Sequence, residues 1–242
     1  MKLNNTKTLI AATMLILLNA CASSPSNDLR DPYENWNRKV QSFNDVADDY
    51  VMKPVAKGYK WVMPDFAEQG VSNFFSNIED VGVIANSALQ GKLSQTGSDS
   101  ARLIVNTTAG VGGLIDVASL IDLPKHDDNF DKTFGAWGLD TGPYLVLPIF
   151  GPSSVRGFAG MALDMAIDPT NYVGGSAIGA VNGLNIVDKR ADMLPMDKVV
   201  EEAATDRYEF FKNAYLSQDN PADENDDAQE IHSLKLEEVD KK

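Results

Sequence analysis

The chain has 242 residues, with 35 acidic against 21 basic side chains and a formal net charge of −14. That length suits one domain with a sizeable core, and 43% hydrophobic with 23% charged residues excludes both a wholly disordered chain and a polytopic helical membrane protein. The acidic excess disfavours binding of nucleic acid or of an anionic surface through bulk charge, so any contact with lipid should be apolar and local.

Residues 1–20 follow the order of a secretory signal: basic Lys2 and Lys7, an apolar run over residues 9–18, then small Ala20 at the boundary. The apolar run is too short to span a bilayer. Leu18-Asn19-Ala20-Cys21 resembles the lipobox read by bacterial lipoprotein peptidase, which makes Cys21 the expected lipid-attachment residue. The competing reading is a secreted protein with a stray thiol. A lone cysteine at the cleavage point of an exported chain favours the anchor. Each buried CH₂ contributes about 0.8 kcal/mol, so several acyl chains on one cysteine hold durably where one would not. Ala22 follows, and the lack of an aspartate there resembles lipoproteins sorted onward to the outer membrane. Residues 21–30 are then expected to form a flexible tether.

Folding is expected from Asp31. Asp31-Pro32-Tyr33-Glu34 offers a cap acceptor, a proline for the first helical position and a glutamate at N3. Tyr33, Trp36, Val40, Phe43, Ala47 and Tyr50 recur at spacings of three and four, one apolar helix face. Pro54 and Pro64 divide the next stretch into short helical pieces, and Phe66, Val71, Phe74, Phe75 and Ile78 form a second stripe ahead of a nearly uncharged stretch over residues 81–90. Residues 103–121 hold only Asp116 as a charge, yet Gly110, Gly112 and Gly113 interrupt them, so a bent or re-entrant pair of short helices fits better than a spanning helix.

A polar segment, residues 124–132, precedes a Gly/Pro/aromatic region that breaks regular helix repeatedly. Strand-like alternation is confined to residues 144–147. Another helix can start at Pro152 or Ser153, residues 171–187 are uncharged and rich in small side chains, and a last helical pattern carries Val200, Ala204, Tyr208, Phe211 and Tyr215 to an end near Gln218. Residues 219–242, with nine acids and three lysines, read as an acidic disordered tail. The class is mainly α with little or no β, built of short amphipathic and broken helices that expose more apolar surface than a soluble bundle tolerates.

Little in the chain supports covalent chemistry. With two histidines, His126 and His232, and the cysteine assigned to lipid, no metal site of His/Cys spacing can be built, and no cofactor is expected. Gly91-Lys92 lacks the rest of a phosphate loop, and Gly110-Val111-Gly112-Gly113 has the wrong spacing for a dinucleotide loop. Ser153 and Ser154 do not lie in a nucleophile elbow and suit a helix N-cap better. Asp116 and Asp164 stand among apolar residues; they either cap helices or pair with an arginine such as Arg102 or Arg156, or form the polar lining of an apolar membrane body. Trp36 suits a core. Trp61 and Trp137 are open to core or interfacial roles, with Trp137 the better anchor among its glycines and prolines.

Several motifs together carry a family resemblance. They are Asp31-Pro32-Tyr33-Glu34-Asn35-Trp36-Asn37-Arg38, Ser72-Asn73-Phe74, Leu89-Gln90-Gly91, and above all Phe134-Gly135-Ala136-Trp137-Gly138 followed by Gly142-Pro143-Tyr144-Leu145-Val146-Leu147-Pro148 and Gly151-Pro152-Ser153. From Asp31 to Tyr215 the chain resembles the MlaA/VacJ family of outer-membrane lipoproteins. The resemblance implies a helical domain over residues 31–218, ring-like and embedded in the inner face of the outer membrane beside a trimeric porin. It also implies a non-enzymatic function: phospholipid misplaced in the outer leaflet is removed and passed to a periplasmic phospholipid carrier, which keeps the membrane asymmetric.

A charged headgroup crosses hydrocarbon at great cost without a polar path, and irregular backbone is tolerated at membrane depth where it lines one. Gly135, Trp137, Gly138, Gly142, Pro143, Tyr144, Pro148 and Gly151 are therefore the expected channel wall, with Asp116 and Asp164 as candidate polar lining. The segment with Lys125, His126, Asp127 and Asp128 is either a movable gate beside the path or a plain turn between helices.

Overall fold

A computed structural model of the protein describes residues 28–172 and 177–218; the signal sequence, Cys21 and the acidic tail lie outside them. The first helix, α1 (Glu34–Ala47), starts three residues after Asp31 and passes into a π-helical turn (Asp48–Met52) before α2 (Lys53–Val62). The widening falls just before Pro54, whose ring would collide with the carbonyl four residues back and which has no N–H to donate. Pro64 pushes Met63 to ψ 123°, which ends α2, and then occupies the cap position of α3 (Asp65–Leu89). Gly91 at φ +76° turns the chain into α4 (Leu93–Thr108).

The glycine break expected within residues 103–121 is present. After α4, Gly112 and Gly113 take φ of +72° and +93°, and a side chain at Gly110 would stand 2.1 Å from the Ile115 carbonyl oxygen. A short 3₁₀ turn (Ala118–Ile121) and an extended loop lead to α5 (Phe130–Ala136). Strands β1 (Tyr144–Leu147) and β2 (Gly151–Ser154) pair in a two-stranded sheet. Helices α6 (Val155–Ile167), α7 (Ala177–Ala203) and α8 (Arg207–Gln218) complete the order, with a 3₁₀ turn (Pro169–Tyr172) after α6. The described residues are thus mainly helical, and the one expected strand segment is β1.

The described residues form two compact units, and the division falls inside α1. The smaller gathers residues 28–42, 143–153 and 204–218. Its apolar centre is Val40, Tyr144, Val146 and Tyr208, with Trp36, Tyr215 and Leu216 packed on it. Asn37, fully buried, acts as a backbone surrogate. Its amide accepts from Val146 N at 2.8 Å and donates to the Tyr144 carbonyl at 3.1 Å and to Asp31 Oδ1 at 2.8 Å, which satisfies an open edge of β1. Asp31, assigned to capping by sequence, also accepts from the Tyr208 hydroxyl. Arg38 ties α1 to α8 through Asp206 at 2.8 Å and Glu209 at 2.6 Å, while its guanidinium lies over the Tyr208 ring. The end of the expected tether belongs to this unit, because Tyr144 N donates to the Arg30 carbonyl at 2.9 Å.

The larger unit takes residues 43–142 and 154–203. In it α3 packs on α4, α2 on α7 and α5 on α6. The α2–α7 contact is polar: Tyr59 Oη donates to Asp188 at 2.8 Å, and Lys53 pairs with Asp197 at 3.1 Å. At the α5–α6 crossing a side chain on Gly160 would lie 2.5 Å from Asp131 N, so only glycine permits that approach. Ser154 caps α6, its hydroxyl accepting from Gly157 N at 2.9 Å, the bland role the sequence favoured.

Candidate functional site

The larger unit is polar where a water-soluble protein is apolar. On α3, Asn77, Asp80, Asn86 and Ser87 are buried, and facing them α4 buries Asp99, Arg102 and Asn106. Asn77, Asp80 and Ser87 on α3, and Asp99, Arg102 and Asn106 on α4, recur three, four or seven apart, so each helix turns a polar stripe inward. Arg102 holds the seam together: its Nη2 lies 3.1 Å from Asp116 Oδ1, its Nη1 donates to Ser119 at 3.3 Å and to the Leu123 carbonyl, and its Nε is 4.0 Å from Asp80. Asn106 donates to Asp116 at 2.9 Å and accepts from Ala118 N at 2.8 Å, fixing the turn after the glycines.

Asp116 pairs with Arg102, a role expected of it, and also accepts from Ser119 N at 3.2 Å. Burial alone would push its carboxyl up, but hydrogen bonds from Ser119, Asn106 and Arg102 outweigh it and bring the pKa from an ordinary 3.8 to about 2. A carboxylate depressed by folding stabilises above its ordinary value and loses that contribution as pH falls through the folded one. Stability curves of the protein and of Asp116→Asn should therefore lie apart near neutral pH and converge between pH 3.8 and about 2. Parallel curves across that window would show that the pair contributes nothing. Asp164 does cap a helix, accepting from Phe130 N at 3.1 Å at the start of α5; burial pushes its carboxyl above the usual range against that hydrogen bond and one from Asn86.

The candidate gate segment is fastened along the seam. Lys125 donates to Asp80 and, at 2.8 Å, to the Ser76 carbonyl; His126 Nδ1 lies 2.6 Å from Asp99. Asp128 is buried and gathers Ser87 at 3.2 Å, Gln90 at 3.0 Å, Lys92 at 3.2 Å and Gln95. Asp127 projects outward, its side chain 86% exposed, and pairs at 3.4 Å with Lys132. The segment thus lies as a strap across α3 and α4, with three of its side chains bonded to buried groups. Sequence reading missed Asp80, Asp99, Asn86 and Ser87; the signal was their helical spacing, masked by the habit of turning polar stripes toward water.

The candidate wall residues are divided between the two units. Gly135, Trp137, Gly138 and Gly142 belong to the larger, and Pro143, Tyr144, Pro148 and Gly151 to the smaller. Gly135 sits against the Arg156 guanidinium, where a Cβ would meet Nη1 at 3.2 Å; Gly138 and Gly142 adopt φ of +87° and +74°. Trp137 is half exposed and donates from its indole to the Leu89 carbonyl at 3.2 Å, its ring 5.8 Å from that of Phe134. Tyr144 is the exception and is corrected: at 1% exposure it is core of the smaller unit, its ring 5.6 Å from that of Tyr215, and has no surface to offer a bore.

The outside is the converse. Trp61 is 87% exposed and Phe66 81%, with Tyr50, Val62, Val111 and Leu120 also outward, and among the described residues exposed large apolar side chains outnumber buried ones. Isolated apolar residues are normal on a surface, but so many around a charged interior are not. No helix among the described residues is long and apolar enough to cross a membrane.

Together these features define a mainly helical protein of inverted polarity. The sequence model of the MlaA lipoprotein family matches residues 29–221, and the chain belongs to that family. It is 31% identical over 223 residues to the intermembrane phospholipid transport system lipoprotein MlaA of Escherichia coli strain K12, covering 89% of this chain and 87% of that one. An uncharacterised protein of Rickettsia felis is 34% identical over 189 residues, covering 77% and 75%. A solved structure concerned with the structural basis for maintenance of bacterial outer membrane lipid asymmetry superposes with a TM-score of 0.68 at 31% identity, covering 78% of this chain and 96% of that one.

Proposed function

We propose that this protein is an outer-membrane lipoprotein, anchored on the periplasmic side through Cys21, that removes misplaced phospholipid from the outer leaflet and passes it to a periplasmic carrier. The observation that carries the reading is the inverted polarity: charged groups are sequestered between α3 and α4 while Trp61, Phe66 and their neighbours face out. Apolar surface of that kind is stable against acyl chains and costly in water. The names of the Escherichia coli relative and of the superposed structure support the same assignment. A trimeric porin alongside is part of the proposal.

No covalent step is required. Ser154 is fully buried and committed to capping α6, so it is no accessible nucleophile. Deleting the gene should raise outer-leaflet phosphatidylethanolamine, read with an amine reagent that does not cross the membrane. Purified protein in vesicles should donate intact phospholipid to an acceptor while releasing no fatty acid. Unchanged surface labelling together with no transfer would reduce the protein to a structural lipoprotein, and fatty acid release would make it a hydrolase.

A further inference from the structure

Between α1 and α2 the helix widens for one turn. Lys53 N donates to the Asp48 carbonyl five residues back, so the turn Asp48–Met52 holds one residue more than an α turn. An α-helix rotates about 100° per residue, so that one residue re-aims every side chain of α2 by the same angle. In the register observed, Ala56 is fully buried, Tyr59 meets Asp188 on α7, and Val55, Trp61 and Val62 face out. Were the turn to close to α with all its residues kept, Val55 would take the place of Ala56 and Gly58 that of Tyr59.

Pro54 is a local cause of the widening, but charged side chains also grip the turn from both of its ends. Asp48, its first residue, takes Arg190 as a bidentate pair, Nε at 2.6 Å from Oδ1 and Nη2 at 2.7 Å from Oδ2. The same Nη2 reaches Asp197 at 3.0 Å, and Asp197 pairs at 3.1 Å with Lys53, the first residue after the turn. Arg190 and Asp197 lie seven apart on α7 and so on one face of it, while Asp49, Tyr50 and Val51 between the two grips are exposed. The four charged side chains are each at least three-quarters buried, and the planar guanidinium fork fixes direction as well as distance. Burial would raise the Asp197 carboxyl, yet hydrogen bonds from Arg190 and Lys53 hold it below the usual carboxylate range.

We infer that Asp48, Arg190, Asp197 and Lys53 form a register clamp, through which α7 sets the length of the turn and with it the face that α2 turns outward. Arg190 is the positioning residue at its centre. What the outward face meets follows from the lipid-transport reading above; the register is measured without lipid transfer, so either can fail alone.

The test uses the full chain in detergent micelles, with Pro54→Ala throughout to remove the local cause of the widening. Val55→Cys or Ala56→Cys is labelled with N-ethylmaleimide, which enters water and micelle alike, and the rate at each position is read on its own peptide by mass spectrometry. With the clamp intact, position 55 should react about tenfold faster than position 56, because Val55 is half exposed and Ala56 fully buried. Asp48→Ala, which leaves Arg190 paired with Asp197, should invert that order, and Arg190→Leu should do the same. Deleting Tyr50, 80% exposed, from the Asp48→Ala chain should restore it, because the turn then has the residue count of an α turn and α2 keeps its face without a clamp. Inversion by Pro54→Ala alone would give the register to the proline and overturn the clamp. An unchanged order in both clamp variants overturns it, as does an order that deletion of Tyr50 leaves inverted. Fast labelling at both positions overturns it equally, since the four residues would then hold α2 on α7 without setting its rotation.

Discussion

Arg102→Leu should destabilise the larger unit by about 3–5 kcal/mol, the scale seen when one member of a buried ion pair is removed. Arg102 is 2% exposed, and it serves Asp116, Ser119, the Leu123 carbonyl and, at 4.0 Å, Asp80, which is itself 1% exposed. Leucine fills part of the volume but withdraws the guanidinium from two carboxylates and a carbonyl, leaving Asp80 with Lys125 and Asp116 with Asn106 and Ser119. Against a total stability of about 5–15 kcal/mol that loss is severe. Urea unfolding of the purified protein in detergent should show a lower midpoint at an unchanged slope. Arg102→Lys keeps the charge but not the planar fork and should fall between. Arg102→Leu combined with Asp116→Leu should recover part of the deficit, because the second change removes one orphaned charge. A midpoint equal to that of the unaltered protein would mean that the seam does not hold α3 to α4.

Asn37→Ala should cost about 3 kcal/mol, since it strands several buried partners at about 1–3 kcal/mol each. Val146 N, the Tyr144 carbonyl and Asp31 Oδ1 all lose their contact with one side chain. The sharper comparison is Asn37→Asp. Its carboxylate still accepts from Val146 N, but it cannot donate to Tyr144 and it repels Asp31. It should therefore be no better than alanine despite matching asparagine in shape. Amide exchange at Val146 is the local readout, and it should accelerate in both variants. Protection at Val146 that survives either change would show that β1 does not depend on Asn37.

Those two residues mark where sequence reading succeeded and where it ran out. Arg102 was a named partner for Asp116, because a lone carboxylate in an apolar run needs a cation and few were near. Asn37 stood only inside a motif. Its contacts are with Tyr144 and Val146, more than a hundred positions away, and no local pattern records them. The same distance hid the smaller unit, which is assembled from three separated stretches of chain. Tyr144 looked like channel wall among its glycines and prolines, yet it is core because α8 returns to cover it, its ring 6.2 Å from that of Tyr208.

Local chemistry alone determined the breaks and ends of the elements. Pro54 and Pro64 interrupt helices, Gly110, Gly112 and Gly113 bend the chain after α4, residues 144–147 form a strand and Ser154 starts α6, each through a constraint on one or a few dihedrals. The tertiary structure decided which face of each helix points inward. Periodicity shows that a helix has two faces, and it carries no sign. On α1 the expected apolar stripe leaves Tyr33 and Phe43 half exposed while Asn37 and Gln41 are buried with Val40; on α3 and α4 the polar stripes are interior outright. The usual rule for choosing the inner face assumes water outside. Where the surroundings are acyl chains, an apolar face gains nothing by turning inward, and charges are stabilised by meeting one another.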